Sequence, residues 1–155
     1  MSTRRDFLSI TTTALVATAS TTPIYARGTP KLQYIASAEA PKAIGPYSHA
    51  VRAGTTLYVS GQIALDPATG NLIQGDFAAQ VRRVLDNLKA VLHEAGGDLR
   101  NVVRSTVYLT DLANFQNMNA IYAEYFGESK PARSTIGVAQ LPRGAAVEID
   151  LIAVL

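Results

Sequence analysis

Two residues are placed where chemistry is plausible: Arg133, which follows Pro131-Ala132 at the threshold of an apolar run, and Glu148, which sits between Val147 and Ile149. An arginine entering a sheet aims its guanidinium inward, where an unpaired charge costs on the order of several kcal/mol, so it needs an anion. Two anions qualify. One is Glu148 itself, which would make a structural ion pair, the reading that composition alone favours. The other is the carboxylate of a bound small molecule, which the planar guanidinium fork can grip with two parallel hydrogen bonds. Other chemistry is thinly supplied. The chain has no Cys, which removes thiol catalysis and thiolate metal sites, and only two His. His93 falls within a helix, at its surface or rim, and His49, after Tyr47-Ser48, is a weaker candidate to line a cleft. No His, Asp and Glu cluster at ligand spacing, so no metal site is expected. Ser60 in Val-Ser-Gly lacks the Gly-x-Ser-x-Gly elbow, and no Gly-x-x-x-x-Gly-Lys phosphate loop occurs.

These residues must be held by the elements around them. Gln33 to Ser37, Ser48 to Arg52 and Leu57 to Ser60 read as short strands punctuated by Pro41, Gly45-Pro46 and Gly54. From Phe77 the apolar positions Val81, Val84, Leu85, Leu88, Val91 and Leu92 recur at helical spacing, with Asp76 to cap the start and Gly96-Gly97 to end it. Val103 to Leu109 alternates as a strand, with Val103, Ser105, Val107 and Leu109 on one side. A second helix carries Phe115, Met118, Ile121, Tyr122, Tyr125 and Phe126, and stops at Gly127. Two strands follow, Ser134 to Ala139 and Val147 to Val154. Three strands, helix, strand, helix and two strands make an α+β mixed sheet with two crossovers. The helices can cover one face. The last strand carries apolars on both sides, so the other face is expected to meet a second copy of the chain.

The chain has 155 residues, 14 basic and 12 acidic side chains and 48% hydrophobic residues, which fits one globular domain. The first 26 residues differ from the rest: they hold ten Ser or Thr and no Glu. Thr3-Arg4-Arg5-Asp6-Phe7-Leu8, the short apolar stretch from Ile10 to Ser20 and the small residue Ala26 resemble a twin-arginine export signal. Residues 1–26 are therefore expected to be a cleaved leader, cut after Ala26 or else after Ala19. Residues 27–155 would form the folded domain and work in the periplasm. The apolar stretch is too short and too rich in Thr to remain as a membrane span, so no membrane contact is expected once the leader is gone. Without Arg4, Arg5 and Asp6 the body keeps 12 basic and 11 acidic side chains. Nucleic-acid binding, which needs clustered cations, is not expected.

Five blocks together resemble the RidA/YjgF family. They are Ile44-Gly45-Pro46-Tyr47-Ser48, Val59-Ser60-Gly61-Gln62-Ile63, Leu85-Asp86-Asn87-Leu88, Val107-Tyr108-Leu109-Thr110-Asp111, and Pro131-Ala132-Arg133-Ser134 running on through Leu141-Pro142 to Val147-Glu148-Ile149. The resemblance runs from about Ala36 to the C-terminus. It implies a chorismate-mutase-like α+β fold that assembles as a homotrimer with clefts at its subunit interfaces. It also implies cofactor-free hydrolytic deamination of reactive enamines and imines, of the 2-aminoacrylate type, to 2-oxo acids and ammonia. By the same resemblance Arg133 matches the arginine that holds the substrate carboxylate, aided by the backbone N–H of Thr135. Glu148 matches the acid associated with the hydrolytic water and Tyr47 a rim group or proton donor, while Ser60, Gly61 and Asn119 line the cleft. Thr135 stands where many members have Cys, and the stretch from Asn119 to Arg133 is a few residues shorter than in cytosolic forms. The export signal sets a second reading beside the first, a non-enzymatic protein that binds small carboxylates or acts as a holdase. RNA cleavage, claimed for some relatives, sits poorly with a near-neutral body.

Overall fold

The computed structural model describes residues 31–155; the expected leader lies outside the described residues. The elements follow in the expected order: β1 (Leu32–Ile35), β2 (Ala50–Ala53), β3 (Thr56–Ile63), α1 (Phe77–Glu94), β4 (Val102–Leu109), α2 (Phe115–Phe126), β5 (Ala132–Gly137) and β6 (Val147–Val154). They build one six-stranded sheet in the order β1-β2-β3-β6-β4-β5. Only β4 and β5 pair in parallel. Because β6 is antiparallel to both β3 and β4, the connections through α1 and α2 each join strands of the same direction. The fold class is the mixed α+β sheet expected from the sequence, with both helices on one face.

Local signals explain the element ends. The Asp76 carboxylate accepts the Ala79 N–H and caps α1. At the other end Gly96, at φ +82, lets the chain turn so that its N–H reaches the His93 carbonyl and that of Gly97 the Leu92 carbonyl. The helix turns Val81, Val84, Leu85, Leu88, Val91 and Leu92 inward, all fully buried, onto Leu57, Val107, Ile149 and Leu151 of the sheet. Along β6 the buried residues are Val147, Ile149, Leu151 and Ala153, so Glu148, Asp150, Ile152 and Val154 look the other way.

That second face has no cover within the described chain. Its rows carry Leu32, Tyr34, Tyr58, Ile136 and Val154, each at least 45% exposed.

Two sequence expectations are corrected. Val103 does not join the core side of β4. Val102 pairs with Ala153 and Arg104 with Ile152, so Val103 is the extra residue of a bulge and is turned out to solvent. The strand expected from Ser134 begins at Ala132 and ends at Gly137, because it pairs with β4 from Arg104 to Leu109 and so takes in Arg133.

A second bulge, in β3, bears on the site. Val59 pairs with Leu151 and Gln62 with Ile149, leaving both Ser60 and Gly61 opposite Asp150. Two polar side chains of α1 fix the strand ends around it. The buried Asn87 donates from Nδ2 to the carbonyls of Leu65 at 2.9 Å and Ile63 at 3.3 Å. Gln80 Oε1 accepts the Ala146 N–H at 3.1 Å, just ahead of β6.

Candidate functional site

The expected site residues fall into two groups on opposite faces of the sheet. Arg133 pairs with Ser105, which pairs with Leu151, on the helix-covered side. Glu148 pairs with Tyr108, which pairs with Ile136, on the open side. The structural ion pair between Arg133 and Glu148 is thereby ruled out within one protomer: their rows lie three residues apart along β6, an odd number, which puts the two side chains on opposite faces.

Glu148 lies in a cleft of about 380 Å³ with Tyr47, Ser60 and Gly61, walled by Ile44, Ile63 and Pro142. The carboxylate rests directly over Gly61. A methyl group there would collide with its oxygen and stand 3.0 Å from its carboxyl carbon, so the carboxylate can keep this place only over a glycine. Ser60 is fixed twice, by its N–H to the His49 carbonyl at 2.9 Å and by its hydroxyl to the Ser48 carbonyl at 2.7 Å. Tyr47 follows a tight turn in which its N–H reaches the Gly45 carbonyl. Its phenol oxygen accepts the Ile44 N–H at 3.3 Å, which leaves the phenol hydrogen free to donate. Burial pushes the Glu148 carboxyl above the usual carboxylate range, and the neighbouring Asp150 pushes it further the same way.

Arg133 sits on β5, an edge strand, against α2. Its guanidinium lies 4.5 Å from the centre of the Tyr122 ring and 5.9 Å from that of Phe115, and Nη2 donates to Asn119 Oδ1 at 2.7 Å. Tyr122 is itself held, stacked on Phe126 at 4.2 Å and hydrogen-bonded through its hydroxyl to Ser105 at 2.7 Å. The aromatic floor and the Asn119 carbonyl orient the cation without neutralising it. Among the described residues no carboxylate lies within ion-pair distance of Arg133. A cavity of about 340 Å³ opens beside it, bordered by Asn119, Tyr122, Phe126, Lys130 and Pro131. Thr135 lies two positions on along β5, on the same face, opposite Val107.

Asn119, expected to line the cleft with Ser60 and Gly61, lies within the protomer in the Arg133 group. From the sequence Tyr122 reads only as an apolar helix position, whereas in the structure it is the floor under Arg133. The spacing held a signal: Phe115, Asn119, Tyr122 and Phe126 share one face of α2, and a polar amide in an aromatic stripe needs a partner. Asn87 gave the same signal on α1. His49 is buried, with Nδ1 accepting the Ser37 N–H at 3.0 Å, and it serves the join between β1 and β2 rather than the Glu148 cleft. His93 is at the surface, 3.8 Å from Asp98. No group of three metal-ligating side chains occurs among the described residues, and no helix among them is long and apolar enough to cross a membrane.

Residues 37–155 match the profile of the family described as endoribonuclease L-PSP. The chain is 50% identical to a RutC family protein of Pyrococcus abyssi over 121 residues, covering 78% of this chain and 95% of that protein. It is 48% identical to the 2-iminobutanoate/2-iminopropanoate deaminase of Bos taurus over 120 residues, covering 77% and 88% of the two chains. The crystal structure of RidA from an Antarctic Psychrobacter matches with a TM-score of 0.77 at 43% identity, covering 79% of this chain and 99% of that one.

Proposed function

The chain belongs to the endoribonuclease L-PSP family, the RidA/YjgF group, and on that premise we propose that it hydrolyses 2-imino acids and their enamine tautomers to 2-oxo acids and ammonia. The observation that carries this reading is Arg133: a cation held by an amide and an aromatic ring, without a carboxylate partner among the described residues, beside an open cavity. Such a fork suits a small carboxylate. The relatives named as imine deaminases support the reaction class.

The reaction needs few groups, since a protonated imine is already a strong electrophile. Arg133 holds the substrate carboxylate and so fixes the imine carbon. Glu148 orients a water; as the water oxygen bonds to that carbon, the carboxylate takes one of its protons. The resulting carbinolamine is protonated on nitrogen by Glu148 or by the free Tyr47 hydroxyl. The C–N bond then breaks, and loss of the hydroxyl proton leaves the 2-oxo acid and ammonia.

Because Arg133 and Glu148 occupy opposite faces, a complete site on this reading takes Arg133 from one copy and Glu148 from another, in a homotrimer that sets the β5 edge of one copy against the uncovered face of the next. The test is turnover of imino acids generated by an amino-acid oxidase. Arg133→Ala and Glu148→Gln should each be impaired alone by about a hundredfold or more. Trimers reassembled from an equal mixture should recover about a quarter of the wild-type sites, since that is the chance that an interface receives both intact halves. Recovery of nothing, with mixed trimers shown to form, would count against the shared site.

We propose further that Arg4-Arg5 and the apolar stretch after them direct export to the periplasm, an address carried by the sequence alone. Replacing both arginines with lysine should move the protein from the periplasmic to the cytoplasmic fraction. An unchanged distribution would refute the address.

A further inference from the structure

Asp150 takes no part in the reaction as described, yet it is built into the same face as Glu148. The two are alternate residues of β6, both turned away from the helices. Asp150 is fixed from β4, where the Tyr108 hydroxyl donates to its Oδ2 at 2.9 Å, and Tyr108 stands directly opposite Glu148 in the strand register. On the other side Asp150 faces the Ser60-Gly61 bulge, the backbone on which the Glu148 carboxylate rests. Two carboxylates are thus held about 7 Å apart along one strand face, one of them locked by a phenol.

We infer that Asp150, locked by Tyr108, is a positioning residue that acts through Glu148: its fixed negative charge keeps Glu148 a stronger base and sets the lower pH limit of the half-site. This rests on the reading of Glu148 as the group that receives the water's proton. Within the protomer the surroundings leave Asp150 as the negative charge able to do this, and Arg133 of the neighbouring copy, on the reading above, opposes it in wild type and variants alike. From β3 the cleft receives Ser60, Gly61 and Ile63, none of them ionisable. The entry loop contributes Tyr47 and β4 contributes Tyr108, both phenols, while Pro142 closes the wall. Arg104 is the first cation along this face of β4, two rows beyond Glu148, opposite Ile152. The direction agrees with the raised Glu148 carboxyl, for which burial is the larger cause and Asp150 the second. The same hydrogen bond is the main cause that raises the Tyr108 phenol.

The experiment is a titration of Glu148 by carboxyl ¹³C NMR alongside the pH profile of kcat/KM. Asp150→Asn keeps the shape and an acceptor for Tyr108 but removes the charge. It should lower the Glu148 midpoint by about half a pH unit, with the acid limb of the profile moving down by a similar amount. Tyr108→Phe keeps the charge but releases it, and should shift both in the same direction by less. A Glu148 midpoint unmoved in both variants overturns the inference, as does a rate lowered equally at every pH with the limb in place, the mark of a merely structural role. If the wild type hydrolyses no imino acid while the Glu148 midpoint still falls in Asp150→Asn, the coupling is upheld and the proposed reaction is what fails.

Discussion

Arg133→Ala is expected to lower kcat/KM for 2-imino acids by about a thousandfold while leaving the fold in place. The loss follows from the role proposed for the side chain. Removing one partner of a desolvated, hydrogen-bonded charge pair costs about 2–5 kcal/mol, and the substrate carboxylate would lose both its counter-charge and the fork that sets its orientation. The fold should survive because Arg133 is on an edge strand and only partly buried, and its contacts are to Asn119, Tyr122 and Phe115 rather than to the core under α1. Arg133→Lys separates charge from shape. An ammonium keeps the attraction but can neither stack on Tyr122 in the same way nor grip two oxygens at once, so an intermediate loss, about tenfold to a hundredfold, is expected. Steady-state kinetics with sedimentation of the same preparations would check both. Loss of assembly in Arg133→Ala would recast the residue as structural.

Glu148→Gln is expected to lower kcat by about 10²–10⁴-fold, the range for a positioned general base, and at the same time to raise the melting temperature at neutral pH. The sign follows from the raised carboxyl: burial and Asp150 disfavour the ionised form in the folded chain, whereas in the unfolded chain the group is ordinary. Stability linked to this proton is therefore fully present below the unfolded value and lost as pH rises through the folded one. A glutamine has no proton to lose. The two melting temperatures should nearly coincide in acid and separate above the folded value, with the variant the more stable. A variant less stable than wild type at pH 8 would contradict the assigned burial.

Much of this fold can be read from residue pattern because one periodicity serves each element. The α1 stripe from Val81 to Leu92 and the alternation of Val147, Ile149 and Leu151 are unambiguous, and the apolar residues on the far side of β6 already imply an uncovered sheet face. What escaped were features that depend on pairing partners. Nothing local to Val103 marks it as a bulge, since its outward turn is set by how Val102 and Arg104 meet β6. The site shows the same division. Arg133 and Glu148 stand out as charges in apolar runs, but their placement on opposite faces follows from strand order and register, which spacing along the chain does not encode. The partner of Arg133 was legible in principle, as the lone amide at Asn119 within an aromatic stripe, although its helix and the strand of Arg133 meet only in the folded chain.

The β3 bulge bears on how such a recess arises and is lost. Val59 and Gln62 both face the core, so a chain lacking Gly61 would place Val59, Ser60, Gln62 and Ile63 opposite Leu151, Asp150, Ile149 and Glu148 in unbroken alternation. The pairing of β3 with β6 and the inward turn of Val59 and Gln62 would be kept, while the bare backbone under the Glu148 carboxylate would go. The recess is thus an increment of one residue laid into an otherwise regular strand, so the scaffold can be inherited with it or without it. A single codon's deletion is expected to remove the recess under Glu148 while leaving the pairing of β3 with β6 in step.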